Sequence, residues 1–223
     1  MALVSSCQLD PKIAAPINDL QEIIPPGFPN PVYTFSANVL TKERFQLGRT
    51  LFYDPFLSIN NTTSCGSCHQ QQVAFANDAH QFSHGIDPLK HGTRNAPGIF
   101  NLAWHPYFMH DAAAGNLELQ PVLPICNPIE MGENMVDIVQ KLQASEKYRS
   151  LFKSAYGSDT VTSVRMLRAL AQFMGLMYSY NSKYDHYKRG EKGGTFSEQE
   201  LRGYQLFIAA CSNCHTEPLF SDF

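Results

Sequence analysis

The amino-acid sequence predicts a mostly α-helical protein. Its 223 residues have room for one large or two small domains with a buried core. Hydrophobic residues make up 43% of the chain and charged residues 17%, which argues against disorder. The net charge of −3 provides no basic surface, so nucleic acid is not expected as a partner. Four stretches with apolar residues at helical spacing predict the helices.

The helices are predicted in order along the chain. The first spans residues 40–54, where Thr41 can cap the first turn and Pro55 ends the helix. Residues 64–134 show few periodic stretches and are expected to form ordered loops. Two helices follow over residues 135–156 and 161–180, with inward side chains at Val136, Val139, Leu142, Leu151, Phe152, Val164, Leu167, Ala171, Met174 and Met177. A capping box, Ser197-Glu198-Gln199-Glu200, begins the last helix.

Residues 1–35 form a proline-rich arm, because six of the 14 prolines lie in the first 31 residues. Such an arm serves either as a tether or as a strap laid over the body. The segment Val4-Ser5-Ser6-Cys7 is similar to the end of a bacterial lipoprotein signal, which would make Cys7 a lipid anchor. An incidental cysteine is the alternative, and the two interpretations stay open.

Two five-residue words determine the expected chemistry: Cys65-Gly66-Ser67-Cys68-His69 and Cys211-Ser212-Asn213-Cys214-His215. The pattern C-x-x-C-H is the attachment signature of c-type haem. On one helical turn the two thiols share a face and can reach two porphyrin vinyl groups, and the histidine can place a ring nitrogen on iron. A redox dithiol would need a βαβ context, which neither word has, and an all-cysteine zinc site does not explain the histidine after each pair. We therefore predict two covalent haem c groups, with iron ligands His69 and His215 and thioether anchors Cys65, Cys68, Cys211 and Cys214.

Beyond these words the chain resembles the bacterial dihaem cytochrome c peroxidases, including their MauG relatives, which oxidise a protein substrate. The similarity runs from about residue 45 to the C-terminus. It is carried by the haem words and by Leu47-Gly48, Phe52-Tyr53-Asp54-Pro55, Arg94-Asn95-Ala96-Pro97, Phe108 to Gln120, Glu130-Met131 and Leu201 to His215. It implies two cytochrome-c-like haem domains, a peroxidatic one at residues 36–158 and an electron-transfer one at residues 159–223 that is incomplete in this chain.

The resemblance also implies roles for residues between the two words. Glu130 matches the distal acid/base, a role that a carboxylate in an apolar pocket can fill. Gln120 matches its distal-pocket partner, and Pro124 lines the same pocket. His84 matches the removable sixth ligand of the resting peroxidatic haem, with a free loop histidine as the alternative. Asn95 matches a side chain of an inter-domain Ca²⁺ site.

One segment departs from the family pattern. Many members carry Phe-Phe-Trp-Asp-Gly-Arg between the haems, where this chain has Phe108-Met109-His110-Asp111-Ala112-Ala113. His110 stands in the place of the tryptophan and could bridge the haems through their propionates. Trp104, the single tryptophan, is expected to be a packing residue.

Three functions stay open. The first is a peroxidase that reduces hydrogen peroxide with electrons from a small periplasmic donor, a cytochrome c or a cupredoxin. The second is a protein-modifying oxidase of the MauG kind, and the third is a dihaem electron carrier or sensor. The presence of Glu130 favours an enzyme, and His84 favours the peroxidase. The periplasm is expected because covalent haem attachment takes place outside the cytoplasm, with membrane tethering if Cys7 is lipidated and a homodimer as one assembly the resemblance allows.

Overall fold

The computed structural model describes residues 20–77 and 80–222, and over these residues the protein is helical. The helices are α1 (Lys42–Tyr53), α2 (Cys65–Cys68), α3 (Val122–Cys126), α4 (Met135–Ala144), α5 (Glu146–Tyr156), α6 (Ser163–Gly175), α7 (Lys183–Arg189) and α8 (Glu198–Ala210). The described part of the chain contains no β-strand, only isolated bridges such as Gln70–Ala76. The predicted α-helical class is therefore confirmed. Cys7 and most of the proline-rich arm lie outside the described residues.

Helix α1 is the centre of the core and packs along α6. Its first turn is capped as predicted, since the Thr41 hydroxyl accepts from the Arg44 amide at 3.2 Å. Phe45, Leu51 and Phe52 on α1 are buried. A Cβ at Gly48 would lie only 1.9 Å from the Ala169 carbonyl oxygen. The absence of a side chain at Gly48 is therefore what lets α1 and α6 approach so closely.

The core continues past the expected domain boundary at residues 158–159. Val161 and the buried residues of α6, among them Met166 and Leu170, belong to the same hydrophobic cluster as Leu51 and Phe52 of α1. Amphipathic helices bury their apolar stripe against the nearest apolar face. Residues up to the end of α6 thus pack with the first domain, although we expected them to start the second.

The predicted helix over residues 135–156 is two helices, α4 and α5, which meet at Ser145. Ser145 has an extended backbone (φ −85°, ψ 120°), so the helical hydrogen bonds stop there. Val136 and Val164 were predicted to point inward, and this is wrong, since they are 65% and 56% exposed. Each is the second residue of its helix and lies in a first turn that extends past the packed face.

The described part of the arm is a strap that lies on the body. The Trp104 indole donates to the Pro29 carbonyl at 2.8 Å, and the Tyr33 amide donates to the Ala103 carbonyl at 2.9 Å. Phe28 packs edge-on against Trp104, which is 2% exposed. The prediction that Trp104 is a packing residue is confirmed. Among the helices formed by the described residues, none has the length and apolar character needed to cross a bilayer.

Candidate haem sites

The first haem word lies on α2, a single turn that its own flanking serines stabilise. The Ser64 hydroxyl accepts from the Ser67 amide, and the Ser67 hydroxyl accepts from the Ser64 amide, which makes a capping box. This turn places Cys65 and Cys68 three residues apart on one helical face. The His69 amide donates back to the Cys65 carbonyl at 2.8 Å, so the histidine follows directly on the same turn.

The hydrogen bonds of His69 leave one ring nitrogen free for a metal. Its Nδ1 lies 2.8 Å from the Phe75 carbonyl oxygen and 3.0 Å from that of Pro97. Carbonyl oxygens only accept, so Nδ1 carries the hydrogen and the lone pair of the neutral ring is on Nε2. Burial lowers the pKa of His69, which favours that neutral form. A carbonyl-bound Nδ1 is the arrangement typical of a metal-ligating histidine.

The two thiols of the first word are partly buried. Burial raises the pKa of Cys65 to about 12, and the neighbouring Cys68 thiol contributes to the shift. Burial also raises the pKa of Cys68. Phe52 of α1 packs on the ring of His69, with centroids 6.5 Å apart. Such surroundings suit the hydrocarbon edge of a porphyrin.

Two further segments meet the first haem word. The Cys68 sulfur is 3.5 Å from the His84 carbonyl oxygen, which places residues 83–86 against α2. The Ile86 amide donates to the Glu130 carbonyl at 2.9 Å. A Cβ at Gly85 would lie 2.0 Å from the Ile129 carbonyl oxygen, so only glycine allows this contact. The structure therefore brings together Cys68, His84 and Glu130, which are far apart in sequence.

Glu130 is partly buried and its carboxylate is held in place. The Asn127 side-chain amide donates to Glu130 Oε1 at 2.8 Å. Burial raises the pKa of Glu130, and the hydrogen bond from Asn127 acts in the opposite direction. Backbone hydrogen bonds also hold the segment, since the Met131 amide donates to the Pro124 carbonyl and the Glu130 amide donates to the Asn127 carbonyl. A carboxyl with a raised pKa next to the first haem word is suited to proton transfer.

Asn127 did not figure among the residues we predicted from sequence. Its signal was the dipeptide Asn127-Pro128, since asparagine before proline favours a turn in which the side chain bonds to the backbone. The Asn127 Oδ1 atom accepts from the Ile129 amide at 3.0 Å and completes that turn.

Gln120 and His110 belong to a neighbouring turn. The Gln120 amide donates to the Met109 sulfur at 3.4 Å. His110 is exposed at the tip of the turn between Phe108 and Ala114, and Asp111 beside it pairs with Arg94 at 2.9 Å. Pro124 lies on α3 and adjoins the Glu130 segment through its carbonyl. The structure thus places Pro124 with Glu130, and Gln120 with the turn that carries His110.

Asn95 and the histidines near His84 shape the loop before the first site. The Asn95 side-chain amide donates to the His80 carbonyl at 2.9 Å and to the Asn77 carbonyl at 3.1 Å. The rings of His80 and His84 pack edge-on at 4.6 Å, and His91 pairs with His84 in a β-bridge. Over residues 20–77 and 80–222, the structure contains no group of three or more His, Cys, Asp or Glu side chains that could hold a metal ion.

The second haem word follows the end of α8. Ser197 and Glu200 form the predicted capping box, which is therefore confirmed, and Cys211 ends the helix. The His215 amide donates to the Cys211 carbonyl, and its Nδ1 is 3.0 Å from the Phe220 carbonyl oxygen. This repeats the arrangement at His69, with Nε2 again left for a metal.

Aromatic and charged contacts hold α8 against α7. The rings of Tyr184, Tyr187, Phe196, Tyr204, Phe207 and Phe220 form a connected cluster. Lys183 pairs with Glu200 at 2.6 Å across the two helices. None of the residues of α8 is buried, and Leu206 is 70% exposed. The second word therefore follows an ordered helix that packs its aromatic side chains against α7 and leaves Leu201, Leu206 and Ile208 exposed.

Both words therefore fit a c-type haem, on the geometry of their own residues. In each, two thiols share one turn and the histidine that follows has Nδ1 bonded to a backbone carbonyl. Residues 42–193 match the sequence pattern of the family described as di-haem cytochrome c peroxidase. The chain belongs to this family. The resemblance inferred from the sequence motifs is confirmed.

The curated relatives of this chain include both MauG proteins and cytochrome c peroxidases. It is 34% identical to the methylamine utilization protein MauG of Methylorubrum extorquens over 89% of this chain and 55% of that protein. It is 36% identical to the cytochrome c551 peroxidase of Nitrosomonas europaea over 78% of this chain and 51% of that protein. The chain thus spans about half the length of the curated relatives it matches.

Solved structures show the same family fold. A MauG-like protein associated with microbial copper homeostasis superimposes with a TM-score of 0.78 at 36% identity, over 88% of this chain and 58% of that one. The diheme peroxidase BthA from Burkholderia thailandensis superimposes with a TM-score of 0.70 at 25% identity, over 82% of this chain and 53% of that one.

Proposed function

We propose that this chain is part of a dihaem c-type peroxidase that reduces hydrogen peroxide to water. The observation that carries the proposal is the partly buried Glu130 carboxylate, which Asn127 anchors at 2.8 Å and whose charge acts on the thiols of Cys65 and Cys68. A pure electron carrier has no use for such a group. Each turnover takes one peroxide, two electrons and two protons and yields two waters. The electrons come from a small periplasmic redox protein, a cytochrome c or a cupredoxin.

The two haem words hold the groups that supply redox chemistry. Cys65 and Cys68 would anchor the peroxidatic haem with His69 as its proximal ligand. Cys211, Cys214 and His215 would do the same for the electron-entry haem. When bound, a haem iron with an open face takes up peroxide and accepts the electrons.

Glu130 transfers the protons in this mechanism. Breaking the O–O bond requires a proton to leave the inner peroxide oxygen and arrive at the outer one, so that water can depart. A single carboxylate can make both transfers if its pKa is raised towards neutrality, and burial acts on Glu130 in that direction. Gln120 and Pro124 complete the distal pocket in this proposal, and His110 connects the two haems through their propionates.

In this proposal His84 supplies the resting-state ligand of the first haem. Its carbonyl contacts Cys68, and the following residues pack on the backbone of Glu130. His84 would hold the first haem at rest, and Glu130 would act as the proton carrier once His84 has moved away. This arrangement favours a peroxidase, because a haem without a sixth ligand needs no such segment.

A MauG-like oxidase is the second candidate function. The MauG of Methylorubrum extorquens and the MauG-like structure cover more of this chain than the cytochrome c551 peroxidase does, at similar identity. In that case the oxidising equivalents would go to a protein substrate instead of being quenched by a donor. Glu130 would serve the same proton transfers in both.

The proposal also includes the domain bounds, a Ca²⁺ site, the cellular location and the oligomeric state. We place the peroxidatic domain from residue 36 to the end of α6, since Val161 and α6 lie in its core, and the electron-transfer domain after it. Asn95 would contribute to a Ca²⁺ site between the domains. The protein would act in the periplasm, tethered to the membrane if Cys7 is lipidated, alone or as a homodimer.

A stoichiometric assay separates the two enzymes. We expect the haem-loaded protein, reduced by one electron, to oxidise two equivalents of reduced cytochrome c or cupredoxin for each peroxide consumed. Donor oxidation is followed by absorbance, and peroxide by an electrode. Consumption of peroxide while the donor stays reduced would contradict the peroxidase and support the oxidase.

Replacing the proposed sixth ligand should change the resting spectrum. We expect His84→Gly to produce a high-spin first haem without prior reduction, because the iron loses its distal nitrogen. His91→Gly, at the residue bridged to His84, is the matched control and should keep the low-spin spectrum. An unaltered low-spin spectrum in His84→Gly would point to another ligand.

A further inference from the structure

The orientation of the Asn127 side chain is determined by its two partners. Its Oδ1 faces the Ile129 amide at 3.0 Å, and a backbone N–H can only donate. The nitrogen of the side-chain amide must therefore face Glu130, where it donates to Oε1 at 2.8 Å. Exchanging the oxygen and nitrogen of the amide would break both bonds. The turn thus holds a donor against one chosen oxygen of the Glu130 carboxylate.

We infer that Asn127 is a positioning residue that holds Glu130 Oε1 and so makes Oε2 the oxygen that exchanges protons with peroxide. The inference rests on the proposed function. An oxygen that accepts a hydrogen bond from an amide is the poorer site for a proton, so the proton resides on the other oxygen. The carboxylate then needs no rotation between taking the proton and delivering it. Geometry of this kind is what general acid/base catalysis depends on.

The backbone around Glu130 cannot take over this task. The Asn127 carbonyl accepts from the amides of Glu130 and Gly132 at 3.0 and 2.9 Å. On the other side, Gly85 is packed so closely that a Cβ would lie 2.2 Å from the Glu130 carbonyl oxygen. These contacts fix where the Glu130 side chain begins. They do not fix the carboxylate of Glu130, which is anchored by the side-chain amide of Asn127.

An isosteric substitution removes the donor and keeps the turn. Asn127→Asp retains an oxygen for the Ile129 amide and leaves the backbone bonds in place. It also sets two carboxyl groups about 3 Å apart, and the repulsion between two carboxylates favours a proton shared between them. Glu130 would then be a poor acceptor for a second proton. Asn127→Ala removes both side-chain bonds, and with them the contribution of the turn to stability.

Asn127→Ala should be the less stable of the two variants, but it should not be the slower one. We expect Asn127→Ala to melt at a lower temperature than Asn127→Asp. We expect kcat of the haem-loaded protein to fall about tenfold or more in Asn127→Asp and no further in Asn127→Ala, with KM for peroxide nearly unchanged. A purely structural role would make kcat follow the melting temperature. The matched control is Asn116→Asp, an exposed turn residue whose Oδ1 accepts from the Glu118 amide, and it should leave kcat unchanged.

Cyanide binding gives a readout that does not depend on turnover. Hydrogen cyanide must lose its proton to a distal base when it binds ferric haem, so the binding rate should fall in Asn127→Asp alongside kcat. Unchanged cyanide binding and unchanged kcat in this variant would overturn the inference.

A double-mutant cycle shows whether Asn127 acts through Glu130. Once Glu130→Gln has removed the proton carrier, adding Asn127→Asp should cause no further loss of kcat. A multiplicative loss would overturn the inference and leave the proposed function intact. Unchanged turnover in Glu130→Gln alone would remove the proposed proton carrier, and that result is distinct from a failure of Asn127→Asp.

Discussion

Glu130→Gln should lower peroxide turnover about 10²-fold or more while leaving both haem spectra intact. Glutamine has nearly the same shape and can still accept from Asn127, but it cannot take and return a proton. The chain should fold as before, because Glu130 contributes to the turn through its backbone amide and carbonyl. The measurements are steady-state kcat with a reduced donor and the absorbance spectrum of the ferric protein.

Glu198→Gln is the control for this result. Glu198 lies in the first turn of α8 with a side chain that is 96% exposed, so its substitution should leave kcat unchanged. Unchanged turnover in Glu130→Gln would remove Glu130 from the mechanism and, with it, the main argument for an enzyme over an electron carrier.

The double substitution Cys65→Ser and Cys68→Ser should halve the covalent haem content. The serine hydroxyls cannot form thioether bonds, so the first word would lose its porphyrin while the second word, which follows α8, would keep its own. Haem that resists extraction with acidified acetone is measured as the pyridine haemochrome and divided by the protein concentration. We expect this ratio to fall from two to one.

Cys126→Ser provides the matched control. Cys126 is a free, exposed cysteine on α3, outside both words, and its substitution should leave the ratio at two. Colour that washes away completely from the unsubstituted protein would contradict covalent haem at either word.

Local interactions explain which structural features could be predicted. The caps at Thr41 and Ser197 were predictable, because each depends on hydrogen bonds within a few residues. The haem words were predictable for the same reason, since one helical turn sets the spacing of thiols and histidine. The break at Ser145 and the exposure of Val136 were not, because they depend on which faces the neighbouring helices cover.

The residues of the candidate site also differ in whether a local sequence pattern could predict them. The family resemblance, and not any local pattern, singled out Glu130 and His84. Their approach to Cys68 depends on two loops that meet through Gly85, and the sequence around Gly85 does not say what it packs against. Asn127 was missed because its turn was visible in the sequence but the partner of its free amide was not.

Sequence alone determined the helical class and the two haem words with the histidines that end them. These properties reside in residues separated by fewer than five positions, where chain geometry leaves few alternatives. Tertiary structure decided that α6 packs with α1, that the His84 segment lies against the first haem word, and that the amide of Asn127 faces Glu130. Contacts between distant segments depend on the packing of the whole core, and no short stretch of sequence contains that information.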